Sequence, residues 1–319
     1  MRIAVTGGGG FIGAYLVEHL LRLGHEVLVI DNFSSGSVDN LRDLSSLKVF
    51  RLDISRPDGL GYVLRDVEYV FHLAAVAGVP ACEANHDIAF ASNVVGTYNI
   101  AEASLACGVK GIIFSSSAAV YGDIRSAAVE EQECRPVSFY GYSKLVSEKV
   151  LEEYSRLYGL RCIVLRLFNV YGLERNGRFR DDVISAFLKA ASNKQKLKIY
   201  GSGNQTRDFV HISDVIQGFE AALRNISSSS SFDIFNIASG KPVSIYELAR
   251  LVLDAYGLGL DMVEMLPPRE GDIGFSAARI DKASSLLGFW PKVELKRWLF
   301  EFPQQTRGSG MDGSRCQDI

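Results

Sequence analysis

Apolar residues in the first half of the chain follow two alternating rhythms. Short runs rich in Val, Ile and Phe, over 2–6, 26–30, 48–52, 69–73, 111–115 and 162–168, read as buried strands. Between them, apolar positions recur at helical spacing over 11–23, 87–106 and 140–158. Continuously apolar strands separated by helices predict an α/β fold: a Rossmann-type, doubly wound parallel sheet covered by helices on both faces.

Beyond 168 the rhythm loosens. A helix is expected near 182–191, strands over 208–212 and 232–237, and helices over 213–224 and 244–256. The serine run at 227–231 reads as a surface loop. The expected organisation is a dinucleotide-binding domain over 1–168, joined by about 207–238. A smaller α/β substrate domain follows from 169–206 and 239–302, and 303–319 is expected to be a disordered tail.

Composition changes this picture little. The 319 residues carry a net charge of −3, so there is no basic field to attract nucleic acid or an anionic membrane. No apolar stretch has the length to span a bilayer, and the first strand runs directly into a glycine turn, so no secretion signal is expected. Five scattered cysteines without a CxxC pair, and five histidines without HExxH spacing, give no metal set and fit a reducing cytoplasm.

Chemistry enters at the end of the first strand. Gly8, Gly10 and Gly13 satisfy G-x-G-x-x-G between a strand and a helix, with Gly7, Phe11 and Ile12 completing the turn. Such a turn lets a dinucleotide's pyrophosphate approach the backbone at a helix N-terminus. Asp31, ending the second strand, would accept the ribose hydroxyls and repel a 2′-phosphate, which selects NAD over NADP. Asn32 and Ser35 add polar contacts, and Asp53 with Ile54, after the third strand, is placed to reach adenine.

Tyr140 and Lys144, four residues apart, share one face of a helix. An ammonium beside a phenol favours the phenolate, so Tyr140 could serve as a base near neutral pH. The spacing alone is common; its weight comes from the dinucleotide turn in the same chain. A hydroxyl-rich segment, Ser115-Ser116-Ser117, ends the fifth strand, where ligands of such sheets bind.

Together these motifs resemble the extended short-chain dehydrogenase/reductase family and, within it, the nucleotide-sugar 4-epimerases. The resemblance also rests on His72-Leu73-Ala74-Ala75, Asn93-Val94-Val95-Gly96-Thr97, Arg166-Leu167-Phe168-Asn169-Val170-Tyr171-Gly172, Arg207-Asp208-Phe209 and Arg269-Glu270-Gly271-Asp272. It implies Tyr140 as the base, Lys144 as its electrostatic partner and Ser117 as the hydroxyl on the reacting oxygen. It places Leu73, Ala74, Ala75 and Asn93 beside NAD, and Asn169, Arg207, Arg269 and Asp272 on the diphosphate of a UDP-sugar. Dehydratases of the family carry Asp-Glu after the catalytic hydroxyl residue, and UDP-glucuronate decarboxylases keep the Glu. Here Ala118 and Ala119 stand there, which leaves 4-epimerisation through a 4-keto sugar.

At the sugar pocket the matching residue is Ser276, whose small size admits N-acetylated sugars beside UDP-glucose and UDP-galactose. A UDP-glucuronate epimerase and a net NAD-dependent dehydrogenase or reductase remain as alternatives, with a non-catalytic NAD-binding protein as a different class. The helices over 87–106 and 140–158 match those that pair in the family's homodimers. The chain departs from the family pattern at Pro80, a position often basic, and at Leu173-Glu174-Arg175, where Pro-Arg is common.

Overall fold

The computed structural model describes residues 1–44, 47–228, 230–268 and 271–308. Its strands are β1 (Arg2–Thr6), β2 (Glu26–Ile30), β3 (Lys48–Phe50), β4 (Tyr69–His72), β5 (Gly111–Ser117), β6 (Arg161–Leu167), β7 (Asn169–Tyr171), β8 (Leu197–Tyr200), β9 (Thr206–His211), β10 (Phe232–Ile237), β11 (Pro242–Ser244), β12 (Val263–Leu266) and β13 (Phe275–Ser276). Its helices are α1 (Phe11–Arg22), α2 (Leu60–Val63), α3 (Val79–Ala84), α4 (His86–Phe90), α5 (Gly96–Ala106), α6 (Phe139–Tyr158), α7 (Val183–Ser192), α8 (Ile212–Asn225), α9 (Ile245–Tyr256) and α10 (Leu295–Gly308).

Seven strands form one parallel sheet in the order β10-β6-β5-β4-β1-β2-β3. The expected doubly wound sheet is therefore present. The chain runs outward from β1 to β3, then returns across β1 to start β4. The reversal opens a crevice between β1 and β4 at their carboxyl ends, the standard ligand position of such sheets.

Alternation along the strands explains the two layers of helix. Ile3, Val5, Val27, Val29 and Phe71 point to a core shared with α1 and α8. Their neighbours Ala4, Leu28, Ile30 and Val70 point to the opposite core, which α2, α5 and α6 cover. A third core packs α7, α9 and α10 around β8, with Phe187, Leu197, Leu248 and Leu299 inside it.

Three expectations change. The helix foreseen over 87–106 is interrupted by a wider turn, Ala91–Val95, which carries Asn93 inward. The short strands β7, β8, β11, β12 and β13 have too few residues to show a period. The chain also does not become tail at Pro303, since α10 continues through it to Gly308. Proline costs an interior helix about 3 kcal/mol. Leu299 and Phe302, 0% and 3% exposed, offset that by burying their side chains in the third core. Residues 309–319 of the expected tail lie outside the described residues.

Candidate active site

The crevice is a cavity of about 580 Å³. Of the residues singled out from the sequence, Gly7, Gly10, Phe11, Ile12, Gly13, Asp31, Asn32, Ser35, Ile54, Leu73, Ala74, Ala75, Ser117, Tyr140 and Lys144 line it. Residues far apart in sequence converge there because each ends a strand or begins a helix at the same edge of the sheet.

The glycine turn is shaped by close backbone approach. A Cβ on Gly13 would fall 2.1 Å from the Gly7 carbonyl oxygen, so no other residue lets α1 start so near β1. The helix begins at Phe11 after Gly10, which offers no side-chain cap. Its first N–H groups have no acceptor within the helix and carry the positive end of its dipole. Beside them, Asp31 is 8% exposed. Its Oδ2 accepts from Gly9 N at 2.8 Å and its Oδ1 from Phe33 N at 2.7 Å, which fixes the carboxylate in the cavity wall. Free helix N–H groups, a glycine cradle that a Cβ would fill, and a pinned carboxylate fit a dinucleotide.

Asp53 and Asn93 stand elsewhere. Asp53 falls between the lining residues Leu52 and Ile54, and its own carboxylate accepts from Ser55 N at 2.9 Å. Asn93 is buried behind the wall. It accepts from Val76 N at 2.7 Å and donates to Val76 O at 3.1 Å, holding the segment after β4 against α6.

That asparagine belongs to a polar chain running from the glycine turn to the base. Thr97 donates to Asn93 O at 2.6 Å, so its hydroxyl proton is spent and it accepts from His72 Nε2 at 3.0 Å. His72 therefore carries its proton on Nε2, and Nδ1 accepts from Thr6 Oγ1 at 2.7 Å. Burial pulls the imidazole down to about 3, which keeps it neutral. Asn93 also donates to Ser143 Oγ at 2.9 Å, and Ser143 donates to Tyr140 O at 2.8 Å. Each member has its partner, so the network rigidifies the start of α6.

On that first turn, Ser138 caps α6 by accepting from Gly141 N at 3.1 Å. A Cβ on Gly141 would lie 2.3 Å from Ala119 O, so α6 presses on the turn that follows Ser117. This contact brings Tyr140 to Ser117. Burial raises the phenol to about 12, with the Ser117 hydrogen bond pulling it back in part. Lys144, one turn further along α6, points its ammonium to the end of β5. Lys144 Nζ donates to Ser115 O at 2.8 Å and lies 4.8 Å over the Phe114 ring. Burial lowers that ammonium to about 8.

Beneath Lys144 lies an ion pair invisible to motif reading. Arg166 on β6 grips Glu148 through Nε at 3.0 Å and Nη2 at 2.7 Å, with side chains 4% and 2% exposed. Arg166 also donates to Glu130 O at 3.1 Å, and Ser116 donates to Glu148. The pair ties β5, β6 and α6 together under the three serines.

The residues assigned to the nucleotide sugar form a separate group. Arg207 on β9 pairs with Asp272 and donates to Thr206 O and Ile273 O, both at 2.9 Å. Ser276 on β13 lies in register with Arg207 and is 5% exposed. Asn169 is exposed at the start of β7. None of these four lines the cavity. Arg269 lies outside the described residues. Sequence reasoning missed Glu174, Phe179, Arg180 and Asp181, which line the cavity from the segment after β7. That segment has neither period nor motif. Among the described residues no cluster of His, Cys, Asp and Glu could hold a metal, and no helix is long and apolar enough to cross a membrane.

Comparison with known proteins gives this geometry a context. Residues 3–238 match the family described as Epimerase, NAD dependent epimerase/dehydratase family. A putative UDP-glucose 4-epimerase of Methanocaldococcus jannaschii is 35% identical over 297 residues, which cover 92% of this chain and 94% of that protein. Among solved structures, the UDP-glucose 4-epimerase of Thermotoga maritima with UDP-glucose aligns with a TM-score of 0.88 at 32% identity, covering 97% of this chain and 99% of the other. The UDP-glucuronic acid 4-epimerase of Bacillus cereus, in complex with UDP-glucuronic acid and NAD, aligns with a TM-score of 0.86 at 29% identity, covering 96% and 99%.

Proposed function

The chain belongs to the NAD-dependent epimerase/dehydratase family, and we propose that within it this protein inverts C4 of a UDP-hexose through a transient 4-keto sugar. The observation that carries the reading is the convergence of Ser117, Tyr140 and Lys144 in the cavity that also holds the glycine turn and Asp31. Ala118 and Ala119 follow Ser117, so that turn offers no carboxyl group for an elimination.

The glycine turn and Asp31 would hold NAD, which when bound would supply the acceptor and donor of the C4 hydride. Ser117 holds the sugar O4, and Tyr140 takes and returns its proton. A phenol resting near 12 is the acid form, so it is poised to give the proton back and needs nearby positive charge to take it. Lys144 keeps part of that charge in the site: at about 8, its amine remains largely protonated at neutral pH. Arg207 on β9, outside the cavity lining, and Asp272 beside it are assigned to the nucleotide diphosphate, together with Asn169 and Arg269. Binding would then exchange the Arg207–Asp272 pair for an Arg–phosphate contact.

UDP-glucose and UDP-galactose are the proposed pair. A serine at 276, with no ring to fill the sugar pocket, supports N-acetylated hexoses as further substrates. Apolar side chains on the outer faces of α5 and α6, including Tyr98 at 46% and Tyr158 at 58% exposed, support a homodimer through these helices.

The test is a panel of UDP-glucose, UDP-galactose, their N-acetylamino counterparts and UDP-glucuronate, incubated with pure protein and no added NAD. Proton NMR should show a C4 epimer for at least UDP-glucose. No epimer from any member would overturn the proposal, and stoichiometric NADH would replace it with a net dehydrogenase.

A further inference from the structure

The segment that sequence reasoning could not place forms a strap over the dinucleotide cleft. Leading out of β7, it is fastened to α1 and to the segment after β2. Tyr15 donates to Leu173 O at 3.1 Å. Arg175 reaches Glu18 at 3.1 Å, Asn40 O at 3.2 Å and Arg42 O at 2.8 Å. The strap thereby delivers Arg180 to the cavity, with its guanidinium carbon 3.8 Å from the ring centre of Phe11, the first residue of α1.

The charge balance of the cavity makes that position informative. Lys144 and Arg180 are the only cationic side chains among the described residues that line it, against the carboxylates of Asp31, Glu174 and Asp181. Lys144 is committed to Ser115 O. The α1 terminus contributes only about half a charge, whereas a diphosphate carries two. Arg180 Nη1 is held by Val170 O at 2.8 Å and lies 3.3 Å from Asp182. Its Nε and Nη2 make no hydrogen bond to other described residues. A guanidinium fixed at one corner, seated on an aromatic face and open along its remaining edge, is built to take phosphate oxygens.

We propose that Arg180 is a diphosphate-binding residue, closing over the glycine turn from the strap so that the phosphates lie between its guanidinium and the N-terminus of α1. Its place above Phe11 assigns it to the pyrophosphate of the dinucleotide rather than to the diphosphate of the nucleotide sugar. This assignment rests on the reading that the cavity holds NAD.

Arg180→Gln keeps a donor for Val170 O and removes the charge; Arg180→Lys restores a point charge without the fork. Calorimetric titration of NAD and, separately, of UDP into protein stripped of nucleotide retained on purification reads both candidate sources, and circular dichroism checks that the stripped protein stays folded. The NAD affinity of Arg180→Gln should fall about ten- to a hundredfold, the range of a charge-assisted hydrogen bond, with Arg180→Lys between it and wild type. UDP affinity should stay within about twofold, since no shared contact is removed. Raised salt should weaken NAD binding more in wild type than in Arg180→Gln. A fall in UDP affinity alone moves the diphosphate contact to the substrate. Unchanged affinity for both ligands overturns the proposal, as does a salt dependence equal in wild type and Arg180→Gln. Wild-type protein that binds UDP but no NAD would instead overturn the dinucleotide reading, leaving Arg180 to be judged on UDP alone.

Discussion

Replacing Lys144 by methionine should abolish activity and make the protein more stable. The ammonium is 3% exposed, and burial lowers it from 10.5 to about 8. A difference of that size corresponds to about 3 kcal/mol of strain carried by the charged form. Below pH 8 the lysine is protonated in both folded and unfolded chains, and the folded state bears the full cost. Between about 8 and 10.5 the unfolded chain binds more protons, so wild-type stability rises with pH as the cost is released. Methionine keeps most of the volume and carries no charge. Against the gain stands the lost hydrogen bond to Ser115 O, worth about 1–2 kcal/mol with the cost of an unsatisfied carbonyl. The net expectation at pH 7 is a gain of about 1–2 kcal/mol and a melting temperature higher by about 2–5 °C. Urea unfolding of both proteins at pH 7 and pH 10, followed by circular dichroism, measures it. The advantage of Lys144→Met should shrink or reverse at pH 10. A variant destabilised equally at both pH values would refute the reasoning.

Two other perturbations separate scaffold from recognition. Glu148→Leu leaves Arg166 buried without its carboxylate and should cost about 3–5 kcal/mol in urea unfolding; a loss below about 1 kcal/mol would contradict the role given to the pair. Asp31→Ser removes the carboxylate facing the ribose. It should weaken NAD and strengthen NADP in parallel titrations, whereas an unchanged NAD-to-NADP preference would remove Asp31 from the cofactor site.

β1, β2, β4, β5 and β6 and the glycine turn were legible because both sheet faces are buried there, which makes these strands apolar runs, whereas β3 is a short and largely exposed strand at the sheet edge. Tyr140 and Lys144 were legible as a pair because helical spacing alone sets one face. What spacing could not give was the direction of the lysine. Its Nζ turns to a carbonyl at the end of β5, a partner supplied by a different element. The pairing of Arg166 with Glu148 escaped for the same reason: Arg166 opens a motif but its partner lies on another element, and only the packing of α6 on β6 joins them. The strap carrying Arg180 has no period at all, and its contacts with α1 are purely tertiary. Pro303 misled in the opposite direction, since a local helix-breaking preference yielded to the burial of Leu299 and Phe302.

The central claim is that C4 loses its hydrogen as hydride and recovers the same one within a single site. UDP-glucose deuterated at C4, incubated in ordinary water with the pure protein, tests it most directly. The account predicts UDP-galactose that retains deuterium at C4. Product carrying solvent hydrogen at C4 would contradict it, because a proton abstracted to water, rather than a hydride kept in the site, would then have inverted the centre.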